Sequence, residues 1–242
     1  MDNNLTWRPM LANLVEASGE IKSLAERLYY LTFGEAPEDA VHDAEAHAYM
    51  ERKRPLTECS LFVDLEHAFH HLNWAWNCRH EEEERVWHFS DADAERWGKF
   101  PKDAPFADLW PKAGLPPELK SAGDAHTLYR LSDEANKLDI AGIRLFILTA
   151  NVKLKSLAYR VSWQIDKADM ATVPRPRGFQ LTDAEMPLTE EVYGKRMHNI
   201  YSYINSAWNN HHGTFKEITP ENIEKYAKFS PDFAHGTYNM WI

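Results

Sequence analysis

Only two cysteines, Cys59 and Cys78, occur in 242 residues. That is too few for a disulfide-stapled scaffold and fits a reducing compartment. The ten glycines are scattered, and none of the Gly-rich spacings that cradle a phosphate is present. No apolar run approaches the roughly 18–20 residues of a membrane span. The start, Met1-Asp2-Asn3-Asn4, lacks the basic patch and apolar stretch of a secretory signal. A basic balance is missing too: 27 Lys+Arg stand against 37 Asp+Glu, for a formal charge of −10. This argues against non-specific nucleic-acid binding, which needs stripes of phosphate-neutralising cations. Strand alternation and hairpin turn pairs are absent, and no internal repeat is read. The absences together predict a soluble, cytoplasmic, acidic protein with no membrane and no nucleic acid among its partners.

What is present is a helical pattern. Hydrophobic residues make up 44% of the chain, and a chain of this length buries about three quarters of its unfolded surface when it folds. Leu11, Leu14, Val15, Ile21, Leu24, Leu28 and Leu31 recur at helical spacing over about 9–32, with Gly19 a point of division. Pro37 opens a second helix to about Arg52. A third is predicted from Thr57 or Ser60 to about His88, with Leu61, Leu65, Ala68, Leu72, Ala75 and Trp76 as its main stripe. Ser90 with Asp93 reads as the start of a short helix. Five prolines alternate with aromatics over about 98–124, an ordered connection that packs its rings on the bundle. Residues 126–168 carry two apolar stripes, Leu131/Ala135/Leu138/Leu145/Leu148/Val152 and Ile143/Phe146/Ile147/Ala150/Leu154/Leu157/Val161, so this helix is expected to be central. Met197, Tyr201, Ile204 and Trp208 mark a last long helix over about 189–210. The prediction is an all-α, single-domain helical bundle spanning 1–242, with five or six main helices and a sub-division, if any, near 98–124.

Charge and histidine are unevenly placed. Residues 1–124 hold 13 Lys+Arg and 24 Asp+Glu, and the remainder 14 and 13, so the net acidity lies in the first half. Seven of the twelve histidines fall between His42 and His88. On the helix beginning near Thr57, Asp64, His67 and His71 share one side. One carboxylate and two imidazoles, the latter at i and i+4, suit a zinc or iron site. His47 or Glu45 on the preceding helix would complete it, although they flank that helix's apolar stripe on opposite sides. The tighter patterns, Glu-x-x-His and His-Glu-x-x-His, are missing. The run His80-Glu81-Glu82-Glu83-Glu84 reads as a solvated acidic helix end. Arg144, Lys153, Lys155, Arg160 and Lys167 form a basic face that would pair with acids elsewhere.

No catalytic motif is complete. The first expectation is therefore an acidic helical interaction protein, binding a protein partner through the His/Trp/Asn face of the third helix or through the acidic 81–84 end. The alternative is a metal-dependent helical-bundle enzyme with zinc or iron at Asp64, His67 and His71. Substrate and oligomeric state are not encoded in any recognisable pattern.

Overall fold

A computed structural model describes residues 5–34, 55–109, 138–165, 175–176, 186–213 and 226–228, and among them there is no strand. The order is α1 (Trp7–Phe33), α2 (Glu58–Asn77), α3 (Glu83–Trp87), α4 (Asp91–Gly98), a 3-10 turn (Ala107–Leu109), α5 (Ile140–Ile165) and α6 (Glu190–Asn209). This is the all-helical bundle expected. The predicted helix at 37–52, the region 126–137 and most of the 171–188 loop lie outside the described residues, as does all of the predicted 220–229 helix except 226–228.

α1 runs unbroken through Gly19, whose side-chain position would meet open space. It buries Met10, Leu14, Ala17, Ile21, Leu24 and Leu28 completely or nearly so, the i, i+3/i+4 stripe of an amphipathic helix. It stops at Gly34, which adopts φ +77° and returns its N–H to the Tyr30 carbonyl at 2.8 Å. Only a residue without a Cβ takes that left-handed cap readily. α2 opens with a capping box between Thr57 and Ser60, and α4 with the predicted one between Ser90 and Asp93.

Two expectations are corrected. The helix from Thr57 ends at Asn77 rather than His88, and a separate single-turn helix follows at Glu83–Trp87. Neither Gly nor Pro stops it. The Asn77 amide instead donates to the carbonyls of Trp97 (2.9 Å) and Lys99 (2.7 Å), tying the helix end to a returning strand of chain. The second correction concerns α5. Its Ile143/Phe146/Ile147/Ala150/Leu154/Leu157/Val161 stripe is buried throughout, whereas Leu148 and Val152 of the other stripe are exposed. α5 is thus buried on one side in its first turns and on all sides over 157–162, so the expectation of a central helix holds for its last turns alone.

α1 packs chiefly on α5 and α2, α5 on α6, and α2 crosses α6, while α4 lies on α2. This arrangement exposes a duplication, which overturns the reading that the chain has no repeat. Lys22-Ser23-Leu24-Ala25-x-Arg27 in α1 returns as Lys155-Ser156-Leu157-Ala158-x-Arg160 in α5, 133 residues on. Pro55-Leu56-Thr57-Glu58 before α2 returns as Pro187-Leu188-Thr189-Glu190 before α6, 132 residues on, and Asn73-x-Ala75-Trp76-Asn77-x-x-His80 as Asn205-x-Ala207-Trp208-Asn209-x-x-His212.

The repeated residues make repeated bonds. Asn73 and Asn77 donate to the carbonyls of Gly98, Trp97 and Lys99 at 2.6–2.9 Å. Asn205 and Asn209 donate to those of Ala227, Tyr226 and Lys228 at 2.5–2.8 Å. Arg27 donates to the Pro55 carbonyl (2.6 Å) and Arg160 to the Pro187 carbonyl (3.0 Å). The Thr6 N–H meets the Arg79 carbonyl at 2.8 Å, and the Asp139 N–H meets the His211 carbonyl at 2.7 Å. α1–α2 and α5–α6 are therefore copies of one helix pair. They meet as the two subunits of an isologous dimer meet, patch i on j and j on i.

Candidate metal centre

The stripe anticipated on α2 is divided between two neighbourhoods. The Asp64 carboxylate lies 3.2 Å from the Arg27 guanidinium, near the C-terminal part of α1. His71 lies two turns further along α2, with Nδ1 3.4 Å from the Asn13 side-chain oxygen. Burial pulls the His71 pKa down, Glu16 nearby pulls it up and His67 adds a further downward push. His70, beside it, is held neutral: burial, then His71 and His67, lower its pKa to about 4. His47 and Glu45 are outside the described residues.

Part of the His/Trp/Asn face of the same helix is covered by the chain itself. Trp74 packs edge-on to Trp97 of α4 (5.1 Å) and to Phe89 (4.9 Å). Trp76 stacks on Tyr193 of α6 (5.7 Å), and Asn73 accepts the Tyr201 hydroxyl at 2.6 Å. Cys78 is buried in the same small cluster, and burial pushes its thiol up to about 12. Burial and a raised pKa are the marks of a structural thiol.

The ligand-capable atoms that do converge, among the described residues, belong to Glu58, His211 and His212, all within 4.8 Å of one another. Two local features position them. Thr57 caps α2, so Glu58 is its first helical residue; α6 ends at Asn209 with Asn210 as C-cap, so His211 and His212 follow directly. Because α2 and α6 run in opposite directions, the start of one meets the end of the other. Glu58 Oε1 lies 3.0 Å from His211 Nε2 and 3.7 Å from His212 Nε2. The side chains of Glu58 and His211 are 16% and 13% exposed and that of His212 is 47% exposed, so the site is walled on one side and open on the other.

His211 is oriented by its surroundings. Its ring stacks on Trp208 (4.4 Å between centroids, 19° between planes), and Nδ1 makes a close contact with the Trp208 carbonyl oxygen. Nδ1 faces that carbonyl, which can only accept, and Nε2 faces Glu58, while a neutral imidazole carries a single N–H. An ionised carboxylate also only accepts. Both ring nitrogens thus face acceptors, Glu58 at 3.0 Å, and one N–H satisfies only one of them: the other contact is completed by a second proton on the ring or by a metal ion. A backbone carbonyl holding the far nitrogen is also how metal-ligating histidines are usually fixed. With metal–ligand bonds of about 2.0–2.1 Å, ligand atoms stand about 3–3.5 Å apart, close to what Glu58 and His211 show. His212 Nε2 stands further off, at 3.7 Å.

The equivalent place at the other end of the α2–α6 pair is filled differently. Glu190 Oε1 receives Arg79 Nε at 2.7 Å and approaches His80 Nε2 at 3.2 Å. Arg79 lies 4.1 Å over the Trp76 ring and donates to the Trp76 carbonyl at 3.0 Å. It also pairs with Asp103 at 3.0 Å. Burial pulls the Glu190 carboxyl upward, but the hydrogen bonds and charge of Arg79 and His80 outweigh it and hold it below the usual carboxylate range.

Sequence reasoning missed His211 and His212 because it followed single helices. The available signals were the adjacent imidazoles just past a helix end and the repeated Pro-Leu-Thr-Glu and Asn-x-Ala-Trp-Asn blocks. No protein-family model matches the chain, and no curated protein or solved structure matches it either.

Proposed function

We propose that this chain is a metal-binding helical-bundle protein that holds one zinc or iron ion between Glu58, His211 and His212. The observation that carries this reading is the convergence of one Glu58 oxygen with Nε2 of His211, whose ring is held between Trp208 and its carbonyl, and with Nε2 of His212. Two imidazoles and one carboxylate form a donor set suited to zinc and to non-haem iron. The solvent-open side leaves room for a water, which a bound ion would make acidic enough to act as a nucleophile. Metal-dependent chemistry on a small polar substrate is the activity such a site serves.

Untagged protein purified without chelator should carry close to one zinc or iron per chain by elemental analysis. Glu58→Ala or His211→Ala should each lower zinc affinity by at least tenfold in calorimetric titration, while Asp64→Ala leaves it unchanged. Metal-free protein that also takes up none on reconstitution would sink the reading. A second reading, partner binding, keeps support from the half-exposed Trp87, at the end of α3, and Phe89, which packs on Trp74. Replacing both with Ala should then abolish cross-linking to an identified partner; unchanged cross-linking would exclude that surface.

A further inference from the structure

The two ends of the α2–α6 pair are the same construction with different contents. At each, the first helical glutamate offers one oxygen to two consecutive residues past the end of the opposite helix: Glu58 to His211 and His212, Glu190 to Arg79 and His80. At each, the first of those two residues stacks on a tryptophan and sets a nitrogen against its carbonyl. The chemical difference is one side chain. A guanidinium brings a permanent positive charge and has no lone pair to give; an imidazole has one.

We propose that Glu190 and His80 form a latent second metal site in which the Arg79 guanidinium stands where the metal would, so that one end of the fold is closed by a cation built into the chain and the other by one taken from solution. This rests on the metal reading of Glu58, His211 and His212, and extends it to a site with its own residues. The divergence has a structural consequence. The Arg79 end is tied permanently, with Asp103 as a further partner, while the His211 end is tied only when a cation is present. Metal then locks one end of a helix pair whose other end is already locked.

The test is zinc stoichiometry by calorimetry on the full chain, with fold and stability followed by circular dichroism in urea. Wild type should bind one zinc and Arg79→His two, with the second lost on adding Glu190→Gln. His211→Arg should bind none and keep wild-type stability, because a guanidinium closes that end as Arg79 closes the other; His211→Ala should lose both zinc and stability. A wild type that binds no zinc overturns the metal reading itself. A wild type binding one and a folded Arg79→His also binding one overturns the latent site alone. Should Arg79→His fail to fold, His211→Arg decides: a stability as low as that of His211→Ala refutes the equivalence of the two ends.

Discussion

The first helix pair (α1–α2) and the second (α5–α6) share a scaffold and differ in what they place on it. The shared part is backbone capture: paired asparagines on α2 and α6 hold three successive carbonyls, and an arginine on α1 or α5 holds the carbonyl of the proline that precedes the next helix. The differing part is the side-chain inventory at matched positions. Asn13, Glu16, Asp64, His67, His70 and His71 of the first pair correspond to Phe146, Thr149, Arg196, Asn199, Ser202 and Tyr203 of the second. Where the first pair sets His71 against Asn13, the second sets Tyr203 against Phe146 at 6.5 Å between ring centres. Residues that hold backbone persist between the copies, whereas matched positions such as Asn13 and Phe146 or Asp64 and Arg196 differ in polarity and charge. The histidine-rich stripe read from the sequence belongs to the differing set. Glu58 and the Glu190 counterpart belong to the persistent one.

The largest expected difference between the halves lies in the asparagines. Asn73 donates to Gly98 and accepts the buried Tyr201 hydroxyl. Asn205 donates to Ala227, and its side-chain oxygen finds no donor among the described residues. Losing Asn73 strands two buried polar groups at about 1–3 kcal/mol each, so Asn73→Ala should cost about 4 kcal/mol against about 2 for Asn205→Ala. Urea midpoints of the two variants measure this directly. Equal losses would mean that the Tyr201 bond adds nothing and that the halves are energetically alike here.

Acid response should also come from the first half. Half-buried His70 stays neutral in the folded chain down to about pH 4, while the unfolded chain takes up that proton near pH 6.5. Between those values the unfolded state binds more protons, so stability falls as pH drops, by about 3 kcal/mol in total. The matched residue in the second pair is Ser202, which does not titrate. His70→Ser should flatten the stability curve between pH 6.5 and 4 whatever it does to the level at neutral pH. An unchanged slope would place the proton-linked instability elsewhere.

How much of this was readable in advance follows from which forces act along one helix and which act between helices. The stripes Leu14/Ile21/Leu28, Leu61/Leu65/Leu72 and Met197/Tyr201/Trp208 were legible because burial imposes a 3.6-residue period on a single segment. The end of α2 was not, because the amide of Asn77 captures chain 20 and 22 residues away instead of a local glycine or proline. Leu148 and Val152 look like core on a helical wheel, yet packing leaves them exposed. The site was hidden for the same reason: Glu58 and His211 are 153 residues apart and meet only because α2 and α6 are antiparallel. The repeat is faint in the sequence because its identities sit in short blocks, and its spacing shrinks from 133 in the first helices to 129 between Trp97 and Tyr226.

The smallest predicted effect tests the copy relationship most finely. Across the α2–α6 contact, Phe69 and Tyr201 are matched residues whose rings stack at 5.7 Å and 12°. Tyr201 sends its hydroxyl to Asn73, and the residue matched to Asn73 is Asn205, whose oxygen is buried without a donor among the described residues. Phe69 is the side chain that would supply one, and it lacks the hydroxyl. If the two pairs are related as closely as their backbone bonds indicate, Phe69→Tyr should place an O–H against Asn205 and stabilise the fold by about 1 kcal/mol, read as a higher urea midpoint at unchanged slope. Adding Asn205→Ala should remove the gain. A Phe69→Tyr variant that is destabilised with or without Asn205 would show that the symmetry stops at the backbone and that the two cores have packed independently.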